Sequence, residues 1–230
     1  MDVFSIARVI EYFPRVFRKL PITLEIVLVS LVIGLLLSLL LAIFRIYKTP
    51  VGNQIALVYI SFMRGTPINV QLFVVYFGFP ALIAPVCSLF GVDINQVSAL
   101  TFVIITYGLN NAAWLAEVIR AAVLGVDKGQ FEAAYAIGMS HGKAFRRIIL
   151  PQAVRIMIPN VGNIVVDLLK STSLAFSLGI LDMVGVVKVI AASSMHSLEG
   201  YVCAAIIYCV FSIIIEQGFH ALSRRLAVQA

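Results

Sequence analysis

Five apolar stretches, each about twenty residues long, dominate this sequence. They cover residues 22–44, 55–79, 97–118, 154–180 and 201–219. A helix needs about 20 apolar residues to cross the hydrocarbon layer of a bilayer. The 230 residues are 61% hydrophobic and 12% charged, whereas a soluble domain carries about 25% charged residues. The pattern predicts an all-α integral membrane protein with five transmembrane helices.

The domain organisation follows from these spans. We expect one transmembrane domain over residues 1–230, with a five-span core over 22–225. Residues 1–21 are interpreted as an amphipathic segment lying in the membrane interface. Residues 128–151, between spans three and four, form the longest polar interruption.

The positions of Lys and Arg indicate the orientation, because cytoplasmic loops are enriched in both. With a cytoplasmic C-terminus, the inner loops hold Arg45, Lys48, Lys128, Lys143, Arg146, Arg147, Arg224 and Arg225. The basic N-terminal segment argues against this orientation, unless its charges rest on lipid headgroups. A nucleic-acid partner for the net charge of +6 is not expected, because apolar runs separate the basic residues.

The polar segment reads as two short helices. They are predicted over 130–137 and 141–149, with a break at Gly138 and an N-cap at Ser140. In the second helix, apolar side chains share one face and basic side chains the other. An ordinary basic loop is the alternative, but the helix–Gly–helix pattern favours docking into a partner's groove.

No nucleotide or metal site is predicted in the chain. "GMSHGKA" (138–144) faintly resembles a phosphate loop, but the spacing to Gly142 is one residue short and Ala144 stands in the magnesium-binding position. Cys87, Cys203 and Cys209 match neither a disulfide framework nor a metal spacing, and are interpreted as packing residues.

A polar stripe in span four is the first candidate for a substrate path, because polar groups inside a span are costly. Pro159 and Gly162 are expected to unwind the helix beside it. The alternatives are that these groups bridge neighbouring helices, or that Asp167 and Lys170 pair with each other. The stripe comprises Asn160, Asn163, Asp167, Lys170 and Ser171, which fall within about 100° of the helix surface, and Thr172 follows it.

Span two contributes Arg64, Thr66 and Asn69 near its start. Arg64 has three possible roles: to bind an α-carboxylate, to pair with Glu117, or to extend to the interface. Weaker candidates in span three are Tyr107, Asn110 and Asn111. Residues 180–195 are either a short external helix or a return loop.

The polar segment resembles a known motif. Glu132-Ala133-Ala134, then Gly138 and Ile148-Ile149-Leu150-Pro151, is similar to the EAA loop of ABC importer permeases. "RGTP", "VQLFVVYFG", "LPQAVR" and "LLKSTSL" are similar to stretches of the polar amino acid uptake permeases of the HisM/GlnP type. The resemblance runs from about residue 22 to the C-terminus.

The resemblance implies a type I ABC importer-like subunit of the bacterial inner membrane. It implies a second permease subunit, identical or paralogous, two ABC ATPase subunits and an extracytoplasmic amino-acid-binding protein. ATP and magnesium are expected on the ATPase, with no cofactor in this chain. The coupling loop would contact the ATPase through Phe131, Glu132, Ala133, Ala134, Gly138 and Phe145. The substrate-path candidates are Arg64, Thr66, Asn160, Asn163, Asp167, Ser171 and Thr172.

The expected substrate is a polar amino acid, with neutral or sulfur-containing compounds such as cystine or glutamine favoured. Family members that import cationic amino acids often carry acids where this chain has Ile164 and Ser171. "STSLAFSLG" (171–179) looks more like cystine permeases. An ion-driven secondary transporter or channel is the alternative function, although such a carrier has no use for an EAA loop. An intramembrane enzyme is not expected, because no histidine has an evident nucleophile partner.

Overall fold

A computed structural model describes residues 4–91 and 93–228, and these residues are almost entirely helical. The α-helices are α1 (Ile6–Phe17), α2 (Leu20–Tyr47), α3 (Pro50–Gly65), α4 (Ile68–Phe73), α5 (Phe79–Leu89), α6 (Ala99–Leu124), α7 (Lys128–Ala136), α8 (His141–Ala144), α9 (Leu150–Ser171), α10 (Met183–Ser194) and α11 (Leu198–Val228). A π-helical turn, Val74–Gly78, joins α4 to α5, and a second, Phe145–Ile149, joins α8 to α9.

Five helices or helical runs in the described residues are long and apolar enough to span a membrane, which confirms the predicted number. They are Leu20–Tyr47, Ile68–Leu89, Ala99–Leu124, His141–Leu178 and Leu198–Leu226. The second prediction, over 55–79, was wrong in its bounds. The chain leaves the helix at Thr66 and Pro67, so α3 is a separate helix and the span begins after it.

The fourth span also differs from its prediction. The helix His141–Leu178 continues for 38 residues from the polar segment 128–151, which we call the coupling segment, toward the opposite end of the bundle. Pro159 lies inside α9 without ending it. Gly162 allows close packing instead of unwinding, because a Cβ there would lie 2.8 Å from the Cβ of Phe219 on α11. The predicted break at Pro159 and Gly162 was therefore wrong.

The centre of the protein is the pair α2 and α6, which make the most extensive contact between helices. Gly34 and Gly108 let the two backbones approach. A Cβ on Gly34 would lie 3.1 Å from the Gly108 carbonyl oxygen, and Ser30 Oγ donates to the Ile104 carbonyl at 2.9 Å. Small residues and short interhelical hydrogen bonds are the usual basis of helix association in membranes.

Two apolar clusters mark the opposite ends of this bundle. At one end, the coupling segment packs through Ile149 and Ala153 on the last turns of α6. At the other end, α1 packs through Tyr12 and Val16 on α10 and α11. Since α9 runs from the first cluster toward the second, α1 and α10 lie at the end remote from the coupling segment.

The N-terminal helix α1 has two apolar stripes. The inner stripe packs on α10 and α11. On the same helix, the Arg8 guanidinium lies 3.3 Å from Glu199 Oε1 at the start of α11. The outer stripe is exposed and consists of Ile6, Ile10, Phe13 and Phe17. Such a stripe suits the membrane interface, where α1 remains predicted to lie. Residues 1–3 of the predicted N-terminal segment are outside the described part of the chain.

The remaining segments resolve two smaller points. Residues 183–194 form a helix, α10, so the return-loop alternative for this region was wrong. Cys203 is buried as a packing residue, whereas Cys209 is exposed and Cys87 is half-buried.

Candidate translocation site and coupling segment

The break between α3 and α4 is held by side-chain hydrogen bonds. Gln71 Nε2 donates to the carbonyls of Met63 at 2.9 Å and Thr66 at 3.1 Å, and to Thr66 Oγ1 at 2.6 Å. Asn110 Nδ2 on α6 donates to the Met63 carbonyl at 3.1 Å and to Gln71 Oε1 at 3.0 Å. Carbonyls freed where a helix stops inside a membrane protein need such partners. The broken backbone is thus fixed against α6.

A cavity of about 300 Å³ opens beside this break. We call it the central cavity. Its walls come from the end of α3, the middle of α6 and the second half of α9. The polar and aromatic residues that line it are Arg64, Thr66, Tyr107, Asn110, Asn111, Trp114, Asp167 and Ser171.

Most polar groups of the central cavity are already committed within the protein. Asn111 Nδ2 donates to the Tyr107 carbonyl at 2.7 Å, and the Tyr107 hydroxyl donates to the Ser171 carbonyl. Thr66 Oγ1 donates to the Phe62 carbonyl at 2.8 Å. Within the described residues, the charged groups of Arg64 and Asp167 form no salt bridge. Both side chains are exposed at the cavity.

Arg64 is positioned by an aromatic ring. Its guanidinium carbon lies 4.4 Å from the centroid of the Trp114 ring, within the range of a cation–π interaction. The ring orients the guanidinium without neutralising it. Trp114, the only tryptophan of the chain, was missed by the sequence analysis; its position three or four residues beyond Asn110 and Asn111 was the available signal.

The proposed pairing of Arg64 with Glu117 was wrong. Glu117 instead accepts from Arg120, with Nη2 at 2.7 Å, and from Arg45 Nε at 3.3 Å. Arg45 also donates to Asn53 Oδ1 at 3.0 Å. This network ties α2, α3 and α6 together.

Only part of the predicted polar stripe of span four lines the central cavity. Asp167 and Ser171 line it, whereas Asn160 and Asn163 lie on an exposed face of α9 and do not. Thr172 is buried, donates to the Leu169 carbonyl at 2.6 Å and contacts the Tyr208 hydroxyl at 3.3 Å. The suggested Asp167–Lys170 ion pair does not form. Asn163 and Asn160 share the face of Asp167 but lie roughly 6 and 10 Å from it along the helix axis, which places them beyond the cavity.

Asp182 begins α10 as a fully buried residue. Its Oδ1 accepts from the Gly185 amide at 2.8 Å, while Oδ2 has no hydrogen-bond partner among the residues that the structure describes. Burial, which penalises the ionised form, raises the pKa of the Asp182 carboxyl to about 6.

The coupling segment has the predicted helix–Gly–helix form. Helix α7 ends at Ala136, and Gly138, two residues further on, has a left-handed φ of +77°. The Gly138 amide donates to the Tyr135 carbonyl at 2.9 Å and the Met139 amide to the Ala134 carbonyl at 3.0 Å. These two bonds form a Schellman cap. Ser140 does precede α8, but its side chain makes no cap hydrogen bond.

Aromatic contacts fix the angle between the two arms of the coupling segment. The His141 ring stacks on Phe131 with centroids 5.9 Å apart, and His141 Nδ1 lies 2.7 Å from the Tyr135 hydroxyl. Phe131 and Phe145 pack in the cluster around Ile149. The predicted second helix does not end at 149, because the π-turn leads directly into α9.

The two faces of the segment differ as predicted. In the second helix Ala144 and Ile149 are buried, whereas Lys143, Arg146 and Arg147 are exposed. In the first arm Glu132, Ala133 and Gly138 are exposed, but Ala134 is buried, so its predicted contact with the ATPase was wrong. Tyr135 and Ile137 add exposed apolar area next to Gly138, with Ile137 77% exposed. The exposed side therefore combines one carboxylate with small and apolar groups, as a docking surface does.

Comparisons with known proteins place this architecture in a family. Residues 23–228 match the model of the binding-protein-dependent transport system inner membrane component, and the chain belongs to this family. It is therefore a multi-pass membrane protein and a transport subunit, as the EAA resemblance indicated.

Three curated relatives are similar along most of their length. The L-cystine transport system permease protein TcyL of Bacillus subtilis is 47% identical over 94% of this chain and 89% of its own. The probable amino-acid permease protein YxeN of Bacillus subtilis is 43% identical over 89% of this chain and 88% of its own. The probable amino-acid ABC transporter permease protein PatM of Vibrio harveyi is 40% identical over the same shares.

Solved structures share the fold. A chain from the crystal structure of an amino acid ABC transporter with histidines has a TM-score of 0.82 and 29% identity, covering 96% of this chain and 99% of that one. A chain of an inward-facing MetNI methionine ABC transporter has a TM-score of 0.73 at 14% identity, covering 91% and 95%. The second likeness concerns the fold alone.

Proposed function

We propose that this chain is the permease subunit of an ATP-driven importer for a polar amino acid, with neutral and sulfur-containing compounds such as cystine or glutamine as the favoured substrates. The observation that carries the proposal is the central cavity, in which Arg64 and Asp167 carry opposite charges without a partner in the described residues. The family and the amino-acid permeases among its relatives support the same class.

The two charges suit a zwitterion. The Arg64 guanidinium would bind the α-carboxylate through paired hydrogen bonds, and Asp167 would bind the α-ammonium group. Because the pocket adds only one negative group, a cationic side chain would compete with the α-ammonium for Asp167. Met63, Ile164 and Trp114 offer the substrate side chain an apolar wall, which favours a neutral or sulfur-containing amino acid.

The exposed stripe on α9 supports a second permease subunit. Asn160, Asn163 and Asp167 all lie on the surface of the isolated chain. Exposing three polar groups to hydrocarbon would be costly, so this face is expected to lie against another permease, identical or paralogous. Asn160 and Asn163 then contribute to the path between the subunits.

The coupling segment would transmit movement of the ATPase to the central cavity. Glu132 would supply the docking charge, Ala133 the close approach, and Gly138 the turn, with Phe131 and Phe145 fixing the segment to α9. The continuous helix from His141 to Leu178 carries Asp167 and Ser171. Movement of the seated segment therefore reorients one wall of the cavity, as alternating access requires.

This assignment sets the partners and the orientation. ATP and magnesium would bind separate ABC ATPase subunits, with the coupling segment and the C-terminus in the cytoplasm of a bacterial cell. Helices α1 and α10 would then face the extracytoplasmic amino-acid-binding protein and the outer lipid headgroups. The basic side chains of α1 would be accommodated there by headgroups and by Glu199.

Reconstitution tests the function. The permease would be placed in liposomes with the ATPase and binding protein that co-purify with it, and uptake of radiolabelled L-cystine and L-glutamine would be followed. Uptake that requires ATP on the ATPase side supports the proposal. Uptake driven by an ion gradient without ATP would instead support a secondary transporter or channel.

A further inference from the structure

A second cleft lies beside the central cavity, on the other flank of α9. Its volume is about 550 Å³, and we call it the outer cleft. The residues that define it are Lys170, Ser173, Phe176, Lys188, Tyr201 and Tyr208. They come from the end of α9, the turn that follows it, α10 and the start of α11.

The outer cleft lies at the end of the molecule remote from the coupling segment. Lys170 is 21 residues beyond Ile149 along one helix, which corresponds to roughly 30 Å. Its neighbour Ser171 lines the central cavity, so adjacent residues of α9 face the two pockets. A substrate arriving on the α10 side would meet the outer cleft first.

Two lysines give the outer cleft its charge. Lys188 Nζ lies 5.4 Å from the Phe176 ring centroid and 5.6 Å from that of Tyr201. Rings at this distance hold an ammonium group by cation–π attraction and leave its charge intact. Neither Lys170 nor Lys188 forms a salt bridge with any described residue.

The acidic groups nearby do not neutralise the outer cleft. Asp167 lines the central cavity instead. Asp182, at the start of α10, is fully buried and bound to the Gly185 amide. The outer cleft therefore presents two ammonium groups and aromatic rings to an incoming molecule, whereas the Ser173 hydroxyl already donates to the Lys170 carbonyl at 2.8 Å.

We propose that the outer cleft is a second binding site, which receives the carboxylates of an amino acid carrying two of them before that molecule enters the central cavity. Two ammonium groups in one open cleft match two carboxylates. L-Cystine belongs to this class, and this choice of ligand rests on the proposed function.

Equilibrium binding of radiolabelled L-cystine to the full chain in lipid nanodiscs tests the outer cleft directly. We expect two sites per unaltered chain. The double variant Arg64→Gln/Asp167→Asn disables the central cavity and retains one site. Adding Lys188→Gln lowers the affinity of that remaining site at least about tenfold, the effect of losing one charge-assisted contact. Lys188→Arg retains the affinity because it keeps the charge.

Controls separate a local effect from a general one. Arg18→Gln removes a positive charge from the same end of the molecule without altering the outer cleft, and it should leave both sites intact. L-Methionine, with one carboxylate, should lose less affinity than L-cystine when Lys188 is replaced. Lys188 is exposed, so its substitution leaves the core intact.

The outcomes for the two pockets are distinguishable. The outer-cleft proposal is overturned if the Arg64→Gln/Asp167→Asn variant binds no L-cystine. It is also overturned if Lys188→Gln leaves the affinity of the remaining site unchanged. A site count unaffected by Arg64→Gln/Asp167→Asn contradicts the central cavity instead. Trp114 lines only the central cavity of the two, so its fluorescence should respond to ligand in the unaltered chain and not in the double variant.

Discussion

Asn110 on α6 donates a 3.0 Å hydrogen bond to Gln71 on α4, and both side chains also bond the Met63 carbonyl at the end of α3. This pair holds open the break on which the central cavity depends. The amides that look available for a ligand are thus occupied by the backbone.

Replacing Gln71 with Leu should destabilise the protein by about 1–3 kcal/mol, the usual cost of a buried polar group left without its partner. The midpoint of thermal unfolding in detergent measures this. Gln152→Leu is the matched control, since Gln152 loses only one exposed bond to Gln130. Equal midpoints for the two variants would contradict the role of Gln71.

The close approach of α2 and α6 gives a second prediction. Gly34→Val places methyl groups against the Gly108 carbonyl and Asn111 Cβ, which already lie 3.1 and 3.2 Å from a Cβ at this position. Overpacking of this kind costs about 1–3 kcal/mol, read as a lower unfolding midpoint. Gly78→Val, where a Cβ meets nothing within 4 Å, should cost clearly less.

Substitutions in the coupling segment should abolish uptake without affecting insertion of the protein into the membrane. Gly138→Asp strains a left-handed position by about 1–2 kcal/mol, and Glu132→Lys reverses the docking charge. Both variants should reach the membrane in normal amount, yet lose ATP-driven uptake while the ATPase still hydrolyses ATP. Gly142→Ala, at an open position without positive φ, is the control. Normal uptake by Gly138→Asp and Glu132→Lys would refute this coupling role.

Arg64 and Asp167 should act on the affinity for substrate. Arg64→Gln removes the proposed contact to the α-carboxylate and should raise the KM of uptake at least about tenfold. Arg64→Lys keeps the charge but loses the paired hydrogen bonds of the guanidinium, so its KM should lie between those of the unaltered chain and Arg64→Gln. Asp167→Asn should lower the affinity for amino acids but not the affinity for analogues that lack the α-ammonium group. Arg18→Gln is the control, and an unchanged KM in Arg64→Gln would exclude the role.

Asp182 should make stability depend on pH. Its pKa is raised from 3.8 to about 6 in the folded protein, so the folded state binds this proton more tightly than the unfolded state. The resulting stabilisation is complete below pH 3.8 and is lost as the pH rises through 6, amounting to at most about 3 kcal/mol.

The variant Asp182→Asn retains an N-cap residue and has no charge to bury. Its unfolding midpoint should rise relative to that of the unaltered chain between pH 4 and pH 6.5, and the difference should then stay constant. Parallel curves across this range would show that Asp182 does not titrate as its burial requires.

Features of the fold could be predicted from the sequence where one physical requirement acts on the residues locally. The five spans follow from the length of apolar runs, and the turn at Gly138 follows from the backbone conformation that glycine permits. Positions that depend on a tertiary partner were not predictable. Pro159 stays within α9, which packs against α11 through the close contact of Gly162 with Phe219. The real break, at Thr66 and Pro67, depends on hydrogen bonds from Gln71 and from Asn110, 39 residues further along the chain.

The same limit applies to the candidate site. Asp167 and Ser171 could be named from a polar stripe, but the stripe does not state which of its members a neighbouring helix will cover. Thr172 is covered by Tyr208, whereas Asn160 and Asn163 remain outside the chain's own cavity. Trp114 carries no charge and reads as one more apolar residue of α6 until Arg64 is placed over its ring.

The uninterrupted helix from His141 to Leu178 also fixes a rotational phase. Each residue turns an α-helix by about 100° and advances it by about 1.5 Å. One residue inserted between Pro151 and Asp167 would leave every local sequence motif intact, yet point the Asp167 carboxylate about 100° away from Arg64 when the coupling segment is seated. The distance in residues between the two sites is therefore as much a part of the mechanism as the side chains at either end.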